Sequence, residues 1–172
     1  MAEATGIQDL VDPGAIVLGL ASAERDAAIL ELAGRLAAAG RVDDPAAVTT
    51  AALEREALGS TNIGLGVAIP HAKSAHVLQA AIAFGRRTDG VRWPGEAVAD
   101  AGGDGADDER EVHSVDLVFL IASPEHASDD HLRMLAALAR ALMHDDFRAA
   151  LRESRTPADV LALLSQRLQA GS

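Results

Sequence analysis

The sequence of 172 residues contains no cysteine. This absence excludes a disulfide framework, a thiolate nucleophile and a thiolate metal site. Aromatic residues make up only 2% of the chain, so aliphatic side chains must fill the core. No apolar run approaches the roughly 20 residues that a membrane-spanning helix requires, and residues 1–12 lack the basic start and apolar stretch of a signal peptide. We therefore expect a cytoplasmic protein with no direct membrane insertion.

Basic residues are also few, with 15 lysines and arginines against 26 acidic residues and a net charge of -11. This balance argues against binding to nucleic acids or anionic membranes, because basic patches supply most of that affinity. Residues 95–113 hold seven acidic residues and one arginine, are rich in glycine and show no periodicity. We interpret them as a long acidic loop inserted in the domain, since such a segment buries little apolar surface.

The remaining sequence alternates between strand and helix patterns. Strands are predicted over residues 15–18, 65–69, 80–85 and 115–122, and the last of these is apolar enough for the centre of a sheet covered on both faces. Helices are predicted over residues 22–40, 43–58, 128–142 and 156–168, with Ser22, Ser128 and Thr156 at three of their N-termini. The pattern predicts a single α/β domain, residues 1–172, with a mixed, mostly parallel central sheet flanked by helices.

One candidate site lies in residues 66–76, GVAIPHAKSAH. Pro70 should end the preceding strand and turn the chain, leaving His71 at the rim of the sheet, where ligands of open α/β sheets bind. A histidine after a strand is more often an ordinary loop residue. Here the approach to the strand also contains Arg55, sixteen residues before His71, and the hydroxyl pair Ser60 and Thr61. Together with nearby glycines, these residues supply the cation, hydroxyl and backbone donors of an anion site.

The run from Glu56 through Ile63 and Gly64 to residues 67–72, VAIPHA, resembles a known active-site signature. It is that of enzyme IIA domains of the fructose and mannitol type (type 2) in the bacterial phosphoenolpyruvate-dependent sugar phosphotransferase system. Residues 115–151 resemble the family's central strand, loop and helix, in which a second active-site histidine opens the helix, here His131. The resemblance covers roughly residues 10–168 and is closest to fructose-specific members. The acidic loop is longer and more charged than is usual in this family.

This resemblance implies a phosphohistidine relay. His71 would accept a phosphoryl group from the histidine-containing phosphocarrier protein and pass it to a cysteine of enzyme IIB, which phosphorylates the incoming sugar. Imidazole suits this task because its neutral nitrogen can attack phosphorus near pH 7. His131, in the first turn of its helix, would contact the phosphoryl oxygens, and Arg55 would neutralise their charge. Ser60 and Thr61 are candidate phosphate contacts, and no cofactor or metal is called for.

Other interpretations remain open for the chain and for each site residue. A module of the same fold can be regulatory, as in the nitrogen-related branch, where phosphorylation controls binding to a regulator. By itself, Arg55 could belong to a solvated helix face, His131 could be a surface residue and the hydroxyl pair could cap a turn. The remaining histidines match no family position and are predicted to be surface residues: His76, His113, His126 and His144.

A zinc site built from His71, His76, His126 and a carboxylate is a further alternative. It is disfavoured because no pair of histidines has the spacing that would place both on one helix face.

Overall fold

The computed structural model describes residues 7–94, 112–126 and 129–170. Its sheet has six strands: β1 (Ile16–Val17), β2 (Asn62–Gly64), β3 (Val67–Ala68), β4 (His71–Lys73), β5 (Ala81–Pro94) and β6 (Val112–Ser123). The α-helices are α1 (Ile7–Leu10), α2 (Arg25–Ala38), α3 (Pro45–Leu58), α4 (Asp129–Ala141), α5 (Asp145–Glu153) and α6 (Pro157–Ala170). A short 3-10 helix, Pro13–Ala15, precedes β1.

The sheet order is β1-β5-β6-β3-β2, and β4 pairs with β6 on the same side as β3. Three pairings are parallel, namely β1 with β5 and both β3 and β4 with β6. The pairings of β2 with β3 and of β5 with β6 are antiparallel. The predicted mixed and mostly parallel sheet is therefore confirmed. The apolar strand β6 lies inside it, with residues such as Phe119 and Leu120 fully buried.

Side chains of the sheet alternate between two hydrophobic layers. Ala68, Val118 and Leu120 face the layer formed with α2 and α3. Val67 and Phe119 face the opposite layer, which includes residues of α1, α4, α5 and α6. The few aromatic residues are all buried, as expected when aliphatic side chains supply most of a core: Phe84, Trp93, Phe119 and Phe147. The fold is an α/β sandwich of three layers.

Two of the predicted helix starts are confirmed. The Asp44 side chain accepts a hydrogen bond of 3.1 Å from the Ala47 N–H, and Pro45 is the first residue of α3. At α6, Asp159 N–H donates to the Thr156 hydroxyl, and the Thr156 N–H donates back to the Asp159 carboxylate. This reciprocal arrangement satisfies N–H groups that the helix itself leaves unpaired.

The predicted cap at Ser22 is wrong, because α2 begins at Arg25 and has Glu24 at its N-cap. The Ser22 hydroxyl and N–H donate instead to the Glu31 carboxylate, at 2.9 and 3.1 Å. A side chain from within the helix thus binds Ser22 and holds the loop before it. The predicted cap at Ser128 lies outside the described residues.

Some elements of the structure are longer than the sequence predicts, and others are not predicted from it. Strand β5 continues to Pro94 through a polar stretch with a register shift between Arg86 and Val91, because β6 provides a partner for its whole length. The short elements α1, β2 and α5 were not predicted. Of the predicted acidic loop, residues 95–111 lie outside the described part, so that interpretation stays a prediction. Among the described helices, none is long and apolar enough to cross a bilayer.

Candidate functional site

His71 is the first residue of β4, next to β6 at the edge of the sheet. Val67 pairs with Leu117 and His71 with Ile121, so the offset is fifty residues both before and after Pro70. The Pro70 carbonyl accepts a hydrogen bond of 2.9 Å from the Ile121 N–H and bridges the two strands. The predicted turn at Pro70 is therefore wrong. Proline removes one donor, but on an edge the ladder continues through its carbonyl.

The His71 ring is half-buried, and its Nδ1 atom is buried without a hydrogen bond of regular geometry to any described residue. Burial lowers the pKa of His71 from its ordinary value, and the positive charge of Arg55 lowers it further. The Ile69 backbone carbonyl and the Glu56 carboxylate act in the opposite direction. The net direction favours a neutral imidazole at neutral pH, which is the form that can act as a nucleophile.

Arg55 lies on the exposed side of the last turn of α3, which packs beside β4. Its Nη1 atom donates to the Gly59 carbonyl at 2.9 Å, which satisfies a carbonyl just beyond the helix end. A guanidinium group has five N–H donors, so this hydrogen bond leaves others for a ligand. Its positive charge lies close enough to His71 to lower the pKa of that ring. The structure thus places Arg55, the predicted cation, near His71, the predicted phosphoryl acceptor.

The site also contains a buried carboxylate that the sequence interpretation did not assign to it. Glu56 is 6% exposed. Its carboxylate accepts hydrogen bonds from the Thr61 N–H at 3.1 and 3.2 Å and from Trp93 Nε1 at 3.1 Å, and it also accepts from the Thr61 hydroxyl. A signal was present, because Val48, Ala52 and Glu56 repeat at four-residue spacing on the inner face of α3. Its neighbours Glu54 and Arg55 hid this pattern.

The structure separates the two candidate phosphate contacts. Thr61 is buried, and both its hydroxyl and its N–H donate to Glu56, so its hydroxyl has no further proton to offer a phosphate. Ser60 is half-buried, and its Oγ atom accepts from the Asn62 N–H at 3.1 Å. The Ser60 hydroxyl proton is not used in that hydrogen bond. This arrangement weighs against Thr61 as a phosphate contact and leaves Ser60 as a candidate.

His131 is the third residue of α4 and therefore lies in its first turn, although its side chain is outside the described part. Among the other histidines, His76, His126 and His144 are exposed, as predicted, whereas the His113 side chain is not described. His76 Nδ1 lies 2.8 Å from an Asp43 carboxylate oxygen. Within residues 7–94, 112–126 and 129–170, no three His, Asp or Glu side chains form a group that could hold a metal ion.

The turn before β3 has an unusual backbone. Leu65 has a φ of 63° and Gly66 a φ of 78°. Arg152 holds the turn by donating to the Leu65 carbonyl at 2.8 Å and to both carboxylate oxygens of Asp116, at 2.7 and 3.0 Å. A Cβ atom on Gly66 would lie 2.7 Å from an Asp116 oxygen and 2.8 Å from Arg152 Nη2. Any other residue here would be strained by the positive φ and would displace the Asp116–Arg152 pair, and the turn sets the entry of the strand that leads to His71.

Comparison with known proteins places this geometry in a family. Residues 9–167 match the family described as "Phosphoenolpyruvate-dependent sugar phosphotransferase system, EIIA 2". The fructose-specific EIIA component of Haloferax volcanii is 40% identical over 127 residues, which cover 72% of this chain and 73% of the relative. The fructose-specific EIIABC component of Bacillus subtilis is 37% identical over 160 residues. That match covers 93% of this chain but only 23% of the relative.

A Bradyrhizobium diazoefficiens nitrogen regulatory protein is also similar, with 35% identity over 159 residues, 92% of this chain and 94% of the relative. Among solved structures, the nitrogen regulatory protein IIA-Ntr from Neisseria meningitidis matches with a TM-score of 0.71 and 30% identity, covering 90% of this chain and 96% of that one. A complex of enzyme IIAMTL with phosphorylated enzyme IIBMTL from Escherichia coli matches with a TM-score of 0.67 and 26% identity, covering 92% and 100%. The chain belongs to the type 2 enzyme IIA family of the sugar phosphotransferase system, whose members are phosphoryl-transfer components.

Proposed function

We propose that this chain is a phosphocarrier that accepts a phosphoryl group on His71 from the histidine-containing phosphocarrier protein. It then passes the group to a cysteine of an enzyme IIB domain, for uptake and phosphorylation of a sugar, with fructose favoured. The observation that carries the proposal is the environment of His71. A half-buried imidazole, whose pKa is lowered, lies at a sheet edge within the field of Arg55.

The reacting atom in this proposal is His71 Nε2, because Nδ1 is the buried ring nitrogen. With its proton on the buried Nδ1, the neutral ring has a lone pair on Nε2. That lone pair forms the new N–P bond while the donor's N–P bond breaks and its electron pair returns to the donor imidazole. In the second step a IIB thiolate attacks phosphorus, and the electron pair of the N–P bond returns to Nε2.

The neighbouring groups would stabilise the transferring group. Phosphoryl transfer depends mainly on positioning and on cations or hydrogen-bond donors around the equatorial oxygens. Arg55 supplies the cation, since only one of its N–H groups is used by Gly59. His131 in the first turn of α4 and the Ser60 hydroxyl complete the proposed set. Thr61 contributes through Glu56 and not through the phosphate.

The nature of the partners is supported by the relatives. The complex of enzyme IIAMTL with phosphorylated enzyme IIBMTL pairs a IIA domain with a IIB domain, and we extend that pairing to this chain. Two large apolar side chains are exposed close to the site in sequence, Leu58 at the end of α3 and Leu65 before β3, with 84% and 46% exposure. Exposed leucines of this kind suit a docking surface for protein partners.

A second candidate function is regulation through the phosphorylation state of the same histidine. It is favoured by the similarity to the nitrogen regulatory proteins of Bradyrhizobium and Neisseria, which cover nearly all of this chain. In that role the chain would bind a regulator in one phosphorylation state only.

A relay assay distinguishes these functions. The chain is phosphorylated with radiolabelled phosphoenolpyruvate, enzyme I and the general phosphocarrier, purified, and mixed with a fructose-type IIB domain or with a variant of that domain in which the cysteine is serine. We expect label on the intact IIB domain and none on the variant. Retention of the label on this chain with every sugar-type IIB domain would contradict a transport role.

A further inference from the structure

Glu56 joins three separate elements at the site. It lies on the last turn of α3, directly after Arg55. Its carboxylate accepts from Thr61, at the approach to β2, and from Trp93, near the end of β5. All three residues are buried, with exposures of 6%, 6% and 0%. The carboxylate is acceptor-only, so it satisfies every donor directed at it without needing a donor in return.

The contacts continue from Glu56 to the phosphoryl acceptor. Thr61 binds Glu56 through its N–H and hydroxyl, and the Thr61 carbonyl accepts a hydrogen bond of 3.0 Å from the Ile69 N–H. Ile69 lies two residues before His71, between β3 and β4, which both pair with β6. A path of hydrogen bonds therefore leads from the carboxylate beside Arg55 to the strand that carries His71.

We propose that Glu56 is a positioning residue for phosphoryl transfer: its buried carboxylate fixes the end of α3 against β2 and β5, so that the Arg55 guanidinium and the His71 ring face one phosphoryl group. The inference rests on the proposed function of His71. In this role Glu56 does not contact the phosphate. The negative charge of its carboxylate partly offsets the positive charge of Arg55. The effect of Glu56 on the pKa of His71, opposite to that of Arg55, agrees with this arrangement.

Loss of the carboxylate should have two consequences. An amide at position 56 has only one acceptor oxygen, so Thr61 or Trp93 would face an N–H group and lose its partner in a buried place. The end of α3 would then shift, and with it Arg55. The missing negative charge would also leave Arg55 unopposed near His71 and lower the pKa of that ring.

The test compares Glu56→Gln with Glu54→Gln in the full chain. The control removes the same charge two residues away, from an exposed side chain. NMR titration of the His71 ring should give a lower pKa in Glu56→Gln than in the wild type and no change in Glu54→Gln. Transfer from the phosphorylated general phosphocarrier should show kcat reduced about tenfold in Glu56→Gln, with KM within about twofold.

Trp93→Phe is the second variant, and it keeps the charge while removing one donor to Glu56. Its kcat should fall about threefold at unchanged KM, with the pKa of His71 close to that of the wild type. This variant decides the question if Glu56→Gln does not fold. A folded Glu56→Gln that matches Glu54→Gln in both the pKa of His71 and kcat overturns the inference, as does an unchanged kcat in Trp93→Phe.

The NMR titration separates this inference from the proposed function. If no form of the chain takes up phosphate, the relay is wrong, but the titration still shows whether Glu56 acts on His71. If the wild type is phosphorylated and the two glutamine variants behave alike, the relay stands and the role of Glu56 is refuted.

Discussion

The strand that carries His71 is held by backbone pairing, whereas the corner that carries Arg55 is held by buried side chains. Between Val67 and Lys73 the chain follows β6 at a constant offset, through backbone hydrogen bonds that do not depend on side chains. At the corner formed by residues 55–61, the Glu56 carboxylate is the common acceptor. Changes to the strand neighbours of His71 should therefore be tolerated better than changes to the buried partners of Glu56.

The largest effect on stability is expected just outside these paired strand residues, in the turn before β3, at Gly66. Gly66→Ala should lower the free energy of unfolding by roughly 2–3 kcal/mol, because alanine is strained at positive φ and its Cβ displaces the Asp116–Arg152 pair. Urea denaturation measures the change. Gly59→Ala is the matched control at the corner, since a Cβ there has no atom within 4 Å and Gly59 has an extended φ of 161°. Equal losses in the two variants would contradict this account.

A smaller effect, on rate and not on stability, is expected at Arg55. Arg55→Gln should slow phosphoryl transfer to His71 about tenfold, equivalent to about 1.4 kcal/mol, because the transition state loses a cation. The free energy of unfolding should change by less than about 0.5 kcal/mol, since the side chain is exposed. Quench-flow kinetics on a variant with a wild-type melting curve checks both parts. A normal rate would remove Arg55 from the site.

The smallest effect concerns pH. The folded-state pKa of His71 is lowered, so the unfolded chain binds more protons in the interval below the ordinary value of 6.5. Stability should therefore rise with pH through that interval, and as the pH falls this contribution should be lost by the point at which the folded-state ring is protonated.

Unfolding free energies measured across this interval should show the slope in the wild type and in His76→Gln, and a smaller slope in His71→Gln. If His71→Gln kept the full slope, another group would be responsible.

The two regions also differ in how far the sequence predicts them. The strand and its histidine follow from local patterns: an apolar run, a proline and a motif, and β6 is apolar enough to identify as the central strand. The predicted turn at Pro70 failed because continued pairing depends on β6, which is fifty residues away in sequence. The corner was harder, because the partner of Glu56 in β5, Trp93, lies 37 positions further along the chain.

Long-range pairing explains the other misses. From the sequence alone, the second half of β5 is predicted to be a polar loop, because its pairing with β6 is not visible there. Ser22 is predicted to be a helix cap, because its hydrogen bond to Glu31 of α2 is not visible either. Arg55 is predicted at the site because its spacing from His71 is part of a family pattern, and its role toward phosphate stays a prediction. Nothing local in the sequence reveals that the Thr61 hydroxyl donates to Glu56, so from the sequence alone Thr61 is predicted as a phosphate contact.

The proposed function depends above all on a phosphoryl group carried by His71, and peptide mapping of the phosphorylated chain can locate that group. The chain is phosphorylated by phosphoenolpyruvate, enzyme I and the general phosphocarrier, digested under alkaline conditions that preserve phosphohistidine, and sequenced by mass spectrometry. We expect one phosphate, on His71, and none on the His71→Gln variant. Phosphate on His76, His131 or any other histidine of the wild type would contradict it.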